Sequence, residues 1–191
     1  LILGHILMDT YRRSAENMAV SERVGLRRKL PDEGIEQRTD SIVAVDRLHL
    51  RGRRLPISFV QSPTYVTWAA QLLNIDPAYF GNCATIAVTG PKPAVAVYSS
   101  YNGVNCEVTI AATGKNWLKR PILSVLLAYP FVQLECRRIT LLISDSNQKT
   151  RQAAEHVGFV HEGYLREFLK NGEGCHIYSM TKAEYEVSKY G

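Results

Sequence analysis

The sequence predicts a mixed α/β fold in which a central sheet carries helices on both faces, with an extension at the amino terminus. After residue 56, short β-rich runs alternate with helical runs. The early strands follow one another as hairpins, whereas the later strands are separated by helices. Hairpins produce antiparallel neighbours and helical crossovers produce parallel ones, so both kinds of pairing are expected in one sheet.

The composition is typical of a folded globular domain. Hydrophobic residues make up 46% and charged residues 21% of the 191 residues, which excludes a disordered, collagen-like or disulfide-stapled chain. The formal net charge of +5 is compatible with nucleic-acid binding but does not argue for it. Cys83, Cys106, Cys136 and Cys175 form no CxxC pair and lie near no His cluster, so we expect reduced thiols and no metal.

Residues 1–56 are expected to form a charged arm or extension that precedes a domain over residues 57–191. The arm holds 11 Lys and Arg against eight acids, which is more than half of the positive excess. Its periodicity is patchy, with a short helix and a strand flanking a turn-rich stretch. No apolar run approaches the roughly 20 residues that span a bilayer, and no secretory signal is evident. We therefore expect no membrane partner.

Within the domain, the first half is predicted from turn and capping residues. Ser62-Pro63 begins a helix, and Asp76-Pro77 begins a brief second one. Asn102-Gly103 is the strongest hairpin signal in the chain. Strands are expected over residues 57–61, 84–89, 94–100 and 104–112.

In the second half, helices alternate with strands. A helix is expected over residues 117–129, halted by Pro130. Asp145 or Ser146 can cap the next helix, which ends at Gly158. Thr181 and Glu184 form a capping box for a last helix. Strands are expected over residues 137–143, 159–165 and 175–181. The loop at 113–116 precedes a helix, where free N–H groups favour anions.

This order of elements resembles the GNAT superfamily of acyl-CoA-dependent N-acyltransferases over residues 57–181. The most specific phrases are residues 128–134, 138–140, 145–147 and 156–166. They are similar to the family's series of a helix, a strand, an Asn-started helix, a leucine-Gly-Phe turn and a Glu-Gly-hydrophobic-Arg strand. The resemblance implies acetyl-CoA bound in a cleft between the fourth and fifth strands. It also implies an amine that attacks the thioester directly, which requires a phosphate cradle, a base and a thiolate donor.

The family's cradle, Gln/Arg-x-x-Gly-x-Gly/Ala, falls on residues 112–117, where none of its three defining positions matches. Gly114 lies one residue away, and Trp117 replaces the final small residue. Lys115, Lys119 and Arg120 can supply positive charge instead, and an ordinary solvated helix start is the competing interpretation. The residues that the resemblance implies around the cofactor are Thr113, Gly114, Lys115, Asn116, Trp117, Lys119, Arg120 and Asn147.

Glu107 on the fourth strand is the candidate base, and a solvent-facing or ion-paired glutamate is the alternative. The family's tyrosine donor falls on Ala154, so Tyr164 or Tyr178 would have to replace it, although aromatic residues on strands are more often core. Asn147 matches the family's Asn that contacts the pantetheine arm and is equally a helix cap. We interpret the neighbouring histidines, His156 and His161, as structural.

Two classes of function remain open from the sequence. The first is a divergent N-acetyltransferase that acts on an amine of a protein or small molecule and resembles the phage and prophage type. The second is a catalytically degenerate protein of a tailed phage, structural or partner-binding, assembled through residues 1–56. The expected location is accordingly the bacterial cytoplasm or the virion. Nucleic-acid binding through the basic clusters at residues 27–29 and 51–54 ranks last.

Overall fold

The computed structural model describes residues 55–191, so residues 1–54 of the predicted arm and both basic clusters lie outside the described residues. Seven strands and four α-helices follow in chain order. The strands are β1 (Ile57–Ser58), β2 (Ala84–Val88), β3 (Ala94–Ser99), β4 (Asn105–Ala112), β5 (Arg138–Ser144), β6 (Val160–Leu165) and β7 (Cys175–Thr181). The helices are α1 (Pro63–Leu73), α2 (Arg120–Ala128), α3 (Gln148–Val157) and α4 (Lys182–Val187).

All seven strands form one mixed sheet in the order β1-β2-β3-β4-β5-β7-β6. Neighbouring strands pair antiparallel except for β4 and β5, which are parallel. The predicted mixed sheet is therefore confirmed. The predicted strand over residues 57–61 is much shorter, with only Ile57 and Ser58 in the ladder. Beyond it, the Gln61 side chain occupies the edge of β2, where it accepts from the Thr85 N–H and donates to the Thr85 carbonyl.

The parallel pairing of β4 and β5 ends early. Asn105–Glu107 pair with Arg138–Thr140, and the register stops at that point. β4 nevertheless continues to Ala112 and β5 to Ser144. The two strands therefore separate beyond Glu107 and Thr140, and the sheet is split there.

Helices cover both faces of the sheet, as predicted. On one face, α1 buries Ala69, Ala70 and Leu73 against strand residues that include Val97 and Ala111. The larger core on the opposite face is built from α2, α3 and α4 with the other side of the strands. The four cysteines are free thiols, and Cys83 is the one that is not fully buried.

The helix predicted over residues 117–129 differs at both ends. A 3₁₀ turn over Asn116–Leu118 comes first, and α2 begins only at Arg120. After α2, the chain does not stop at Pro130 but continues as a π-helical turn, Tyr129–Gln133. Proline lacks the N–H that would bond the Leu126 carbonyl. The buried Tyr98 hydroxyl donates to that carbonyl at 2.8 Å, so the helical path continues with its acceptor satisfied.

The Thr140 hydroxyl forms hydrogen bonds at the closed end of the split, and removing it tests how much they stabilise the fold. This hydroxyl donates to Asn105 Oδ1 at 2.8 Å and accepts from Arg138 Nε. Replacing Thr140 by Val keeps the shape and removes both bonds, so we expect the free energy of unfolding to fall by about 1–2 kcal/mol. Chemical denaturation measures it. The control is Thr67→Val on the exposed side of α1, which should change stability by less than about 0.5 kcal/mol. Equal stabilities of the two variants would contradict this role for Thr140.

Candidate functional site

The split in the sheet opens into an apolar cleft on the face that carries α2 and α3. The volume of the cleft, counting the part open to solvent, is about 790 Å³. Strands β4 and β5 form its floor, and α2 and α3 form its walls. Its lining includes Val108, Ile110, Trp117, Leu123, Leu126, Leu127, Ile139, Leu141, Ala153 and Ala154. Thr109 and Thr150 are the hydroxyl-bearing residues that line it.

The backbone adds polar groups to the two threonine hydroxyls of the cleft. Beyond the last β4–β5 pair, the facing edges of residues 108–112 and 141–144 have no ladder between them. On its other side, each strand remains paired, β4 with β3 and β5 with β7. The cleft therefore combines apolar walls with strand edges that can hydrogen-bond an extended ligand containing amide groups.

At the mouth of the cleft lies the loop that joins β4 to α2. Thr113 bonds back to the Pro93 carbonyl through its N–H at 3.1 Å and its hydroxyl at 3.3 Å. Gly114 allows the Lys92 side chain to pass close by, because a Cβ at Gly114 would lie 2.7 Å from Lys92 Cδ. The sequence interpretation missed Lys92, since only the β2–β3 turn brings it to this loop.

The other predicted cofactor-binding residues divide between the cleft and its surroundings. Trp117 is buried, with 5% of its surface exposed, and lines the cleft directly. Lys115 and Lys119 are exposed around the 3₁₀ turn that begins at Asn116. Arg120 instead donates to the Lys189 carbonyl at 2.7 and 3.1 Å, so its guanidinium is held by the carboxy-terminal segment.

The start of α3 differs from the capping that the sequence predicted. Asn147, and neither Asp145 nor Ser146, occupies the N-cap position, and its side chain makes no capping hydrogen bond. The Glu173 carboxylate accepts from the Ser144 hydroxyl and the Ser146 N–H close to this point. A contact from the β6–β7 connection thus replaces a local cap, which the local sequence could not show. Gly158 ends α3 in the left-handed region at φ 113°, as predicted.

Glu107 is the last residue of β4 that pairs with β5, and it lies opposite Ser99 on β3 and Thr140 on β5. Because side chains alternate along a strand, it points to the face of α1, away from Cys106 and Val108 in the larger core. Glu107 is half-buried. Burial raises the pKa of its carboxyl above the usual range. The carboxylate therefore stands at the closed end of the cleft on the opposite side of the sheet.

The structure does not bring Tyr164 or Tyr178 to the cleft. Tyr164 lies on the edge strand β6, with β5 and β7 between it and the split. Tyr178 is buried and donates to Glu155 Oε1 at 2.8 Å. Ala154, where the family has its tyrosine, does line the cleft.

A separate polar cluster lies between α3 and the β6–β7 hairpin. His176 Nε2 lies 2.9 Å from both Asp145 Oδ1 and Arg151 Nη1, and His176 Nδ1 lies 2.9 Å from His161 Nε2. None of these four residues lines the cleft. His156 is exposed in the last turn of α3.

Residues 55–191 contain neither a candidate metal site nor a candidate membrane-spanning helix. No group of three or more His, Cys, Asp or Glu side chains in that range could hold a metal ion. No helix in the part of the chain that the structure describes is long and apolar enough to cross a membrane.

The split between parallel β4 and β5, with a helix on either side of the cleft, defines the fold of the GNAT-type acetyltransferases. A variant of spermidine N-acetyltransferase SpeG from Vibrio cholerae shares it with a TM-score of 0.58 and 18% identity, covering 70% of this chain and 98% of that one. A structure titled "Probable acetyltransferase" matches with a TM-score of 0.51 and 17% identity, covering 66% and 92%.

The sequence comparisons cover less of the chain than the structural ones. No protein-family model matches the chain. The Bacillus subtilis protein named "Putative ribosomal N-acetyltransferase YdaF" is 34% identical over 67 residues. That match spans 34% of this chain and 37% of the relative.

Glu173 provides a test of the contact at the start of α3. Hydrogen bonding from Ser144 lowers the pKa of Glu173 to about 2; burial opposes this shift, and hydrogen bonds from Ser146 and Asn171 add to it. A group whose pKa falls on folding stabilises the fold above its unfolded pKa, near 4.3, and this contribution disappears as the pH falls toward 2. We therefore expect Glu173→Gln to be less stable than the wild type at pH 7, with the difference shrinking between about pH 5 and pH 2.

Thermal unfolding across that pH range measures the effect. Glu186→Gln, at an exposed position on α4, is the matched control and should follow the wild type throughout. A stability difference for Glu173→Gln that does not change with pH would contradict the assignment.

Proposed function

We propose that this chain is an N-acetyltransferase that moves the acetyl group of acetyl-CoA to an amine by direct attack on the thioester. One observation carries the proposal: the apolar cleft closes at Glu107, where a half-buried carboxylate faces the opposite side of the sheet. A thioester at that closed end would be within reach of an amine arriving from the α1 face. The acetyl donor and the amine acceptor would then meet at the split between β4 and β5.

The pantetheine arm of acetyl-CoA has amide and apolar groups that would match the open strand edges and the apolar walls of the cleft. Its amides can pair with the unladdered edges of β4 and β5, as a peptide adds to a sheet edge. Its methylene and gem-dimethyl carbons would contact apolar side chains such as Leu123 and Ala153. Trp117 would lie beside the arm, where a small residue stands in the family. Asn147 at the start of α3 would serve the same arm.

The phosphates would be held by charge more than by a glycine cradle. Thr113, Gly114, Lys115 and Asn116 form the loop at the mouth; the Thr113 N–H is already bonded to the Pro93 carbonyl, and the N–H groups of the three residues after it would be the further donors. Lys119 adds a second exposed ammonium group beside Lys115. Arg120 would join them only if it left the Lys189 carbonyl.

Glu107 would act as the general base. The amine nitrogen forms a bond to the thioester carbonyl carbon, the C–S bond breaks, and the amine gives up one proton. The Glu107 carboxylate accepts that proton directly or through one water, and the departing thiolate takes a proton from solvent in the absence of a tyrosine at position 154. The acceptor is an amine of a protein or a small molecule, and the phage or prophage origin remains a prediction.

Replacing Glu107 by Gln tests the chemistry separately from binding. We expect acetyl-CoA affinity to be kept and kcat to fall by about 10²-fold or more, because the amide cannot accept the proton. Thioester consumption with a panel of polyamine and peptide amines measures turnover, and calorimetry measures affinity. Glu186→Gln is the control.

The pH dependence of the wild type gives a second arm of the same test. Since burial raises the pKa of Glu107, the rate should fall on the acidic side at a pH above the ordinary carboxylate range. Turnover that is unchanged in Glu107→Gln would remove the base. A wild-type chain that binds no acetyl-CoA would leave the second class of function, a partner-binding protein without catalysis.

A further inference from the structure

Positive charge collects around the mouth of the cleft without acidic partners. Between Asp76 and Glu135 the chain holds a single acidic residue, Glu107, which lies at the closed end of the cleft. The same stretch holds four cationic residues, Lys92, Lys115, Lys119 and Arg120. None of the four forms an ion pair with another described residue. An excess of one sign of charge at the rim of a cleft favours a ligand of the opposite sign.

The register of the sheet brings Lys92 to this mouth. Ala94 begins β3 and pairs with Ala112, the last residue of β4, so the turn before Ala94 lies beside the end of β4. This turn is also bonded to the β4–α2 loop, because the Pro93 carbonyl accepts from the N–H and the hydroxyl of Thr113. Lys92 is therefore a neighbour of that loop in space, although it is distant in sequence.

The side chain of Lys92 lies along the backbone of Gly114. A Cβ at Gly114 would lie 2.7 Å from Lys92 Cδ, 3.2 Å from its Cβ and 3.4 Å from its Cγ. Gly114 is not one of the glycines with positive φ, so the close approach of Lys92, and not the backbone conformation, is what a side chain at this position would disturb. Lys92 is exposed, and its ammonium group, two bonds beyond Cδ, reaches water beside the loop.

We propose that Lys92 binds a phosphate group of acetyl-CoA, and that Gly114 positions it by leaving room for its side chain. This inference rests on the proposed function, since it names a residue that compensates for the missing glycine cradle of the same site. An ammonium group is a compact charged donor that pairs with phosphate oxygens. Because Lys92 comes from the β2–β3 turn, the phosphates would be contacted from a second part of the chain besides Lys115 and Lys119.

Replacing Lys92 by Met tests the charge separately from the packing. The substitution keeps a side chain of similar length on Gly114 and removes the ammonium group. We expect the Kd for acetyl-CoA to rise about 10-fold at low ionic strength. The difference should shrink as salt is added, because salt screens exposed charges. Calorimetric titration measures both effects.

The matched control is Lys182→Met, which removes the same charge at the opposite end of the cleft. Lys182 is exposed, and its N–H bonds to the Arg137 carbonyl just before β5 begins. This variant should keep the wild-type affinity. Equal affinities of the wild type and Lys92→Met would overturn the proposal.

Gly114→Ala gives a second arm that leaves the lysine in place. The added methyl group displaces the Lys92 side chain, so acetyl-CoA binding should weaken in the wild-type background. In the Lys92→Met background the same substitution should cause no further loss, and a double-mutant cycle measures this coupling. Losses that simply add would show that Gly114 acts without Lys92 and would overturn its assigned role.

Shortened ligands identify the phosphate that Lys92 contacts. Acetylpantetheine carries no phosphate, so Lys92→Met should not weaken its binding. Acetyl-dephospho-CoA lacks only the 3′-phosphate. A loss of affinity that persists with this ligand assigns Lys92 to the pyrophosphate, and a loss that disappears assigns it to the 3′-phosphate. An equal loss with acetylpantetheine would contradict a phosphate contact.

A probe without a thioester separates this inference from the proposed function. Inorganic pyrophosphate can be titrated into the wild type and Lys92→Met while NMR follows the Gly114 amide signal. A weaker response in Lys92→Met supports the inference even if the wild type transfers no acetyl group. Equal responses, or none in either protein, overturn it. Failure of the wild type to consume acetyl-CoA, with pyrophosphate still bound through Lys92, would instead contradict the proposed acetyltransferase.

Discussion

The parallel pairing of β4 and β5 lasts only from Asn105–Glu107 to Arg138–Thr140, and the position of each candidate functional group depends on where that pairing ends. If the ladder continued, the backbones of β4 and β5 would hydrogen-bond along their whole length, and no cleft would open between them. Because it stops at Glu107, the edges of both strands are open between α2 and α3. The Thr140 hydroxyl, bonded to Asn105, fixes the closed end at that point.

The split also separates two chemical environments on the two sides of one sheet. The α2–α3 face presents an apolar groove, suited to a long ligand held by shape and backbone hydrogen bonds. The α1 face presents the half-buried carboxylate of Glu107, a group that can accept a proton. One strand supplies both, because Val108 and Ile110 alternate with Glu107 along β4. The proposed reaction through the split would use both faces.

Local signals in the sequence were sufficient for most of the elements. Ser62-Pro63 at the start of α1, the Thr181–Glu184 capping box and Gly158 after α3 all act within one helical turn, and the structure confirms them. The groups that sequence reasoning missed depend on distant contacts. Tyr98 satisfies the acceptor that Pro130 cannot, and Arg120 binds the Lys189 carbonyl from 69 positions away.

The central claim, that the cleft of this chain receives acetyl-CoA, is tested most directly by calorimetric titration of acetyl-CoA into the wild type and Ala153→Phe. Ala153 lines the groove from α3 and is half-buried, so a phenyl ring there would fill the groove from its wall. We expect saturable one-to-one binding by the wild type and loss of binding in Ala153→Phe, with the melting temperature of the variant kept. No binding by the wild type at about 1 mM acetyl-CoA, or equal binding by both chains, would contradict it.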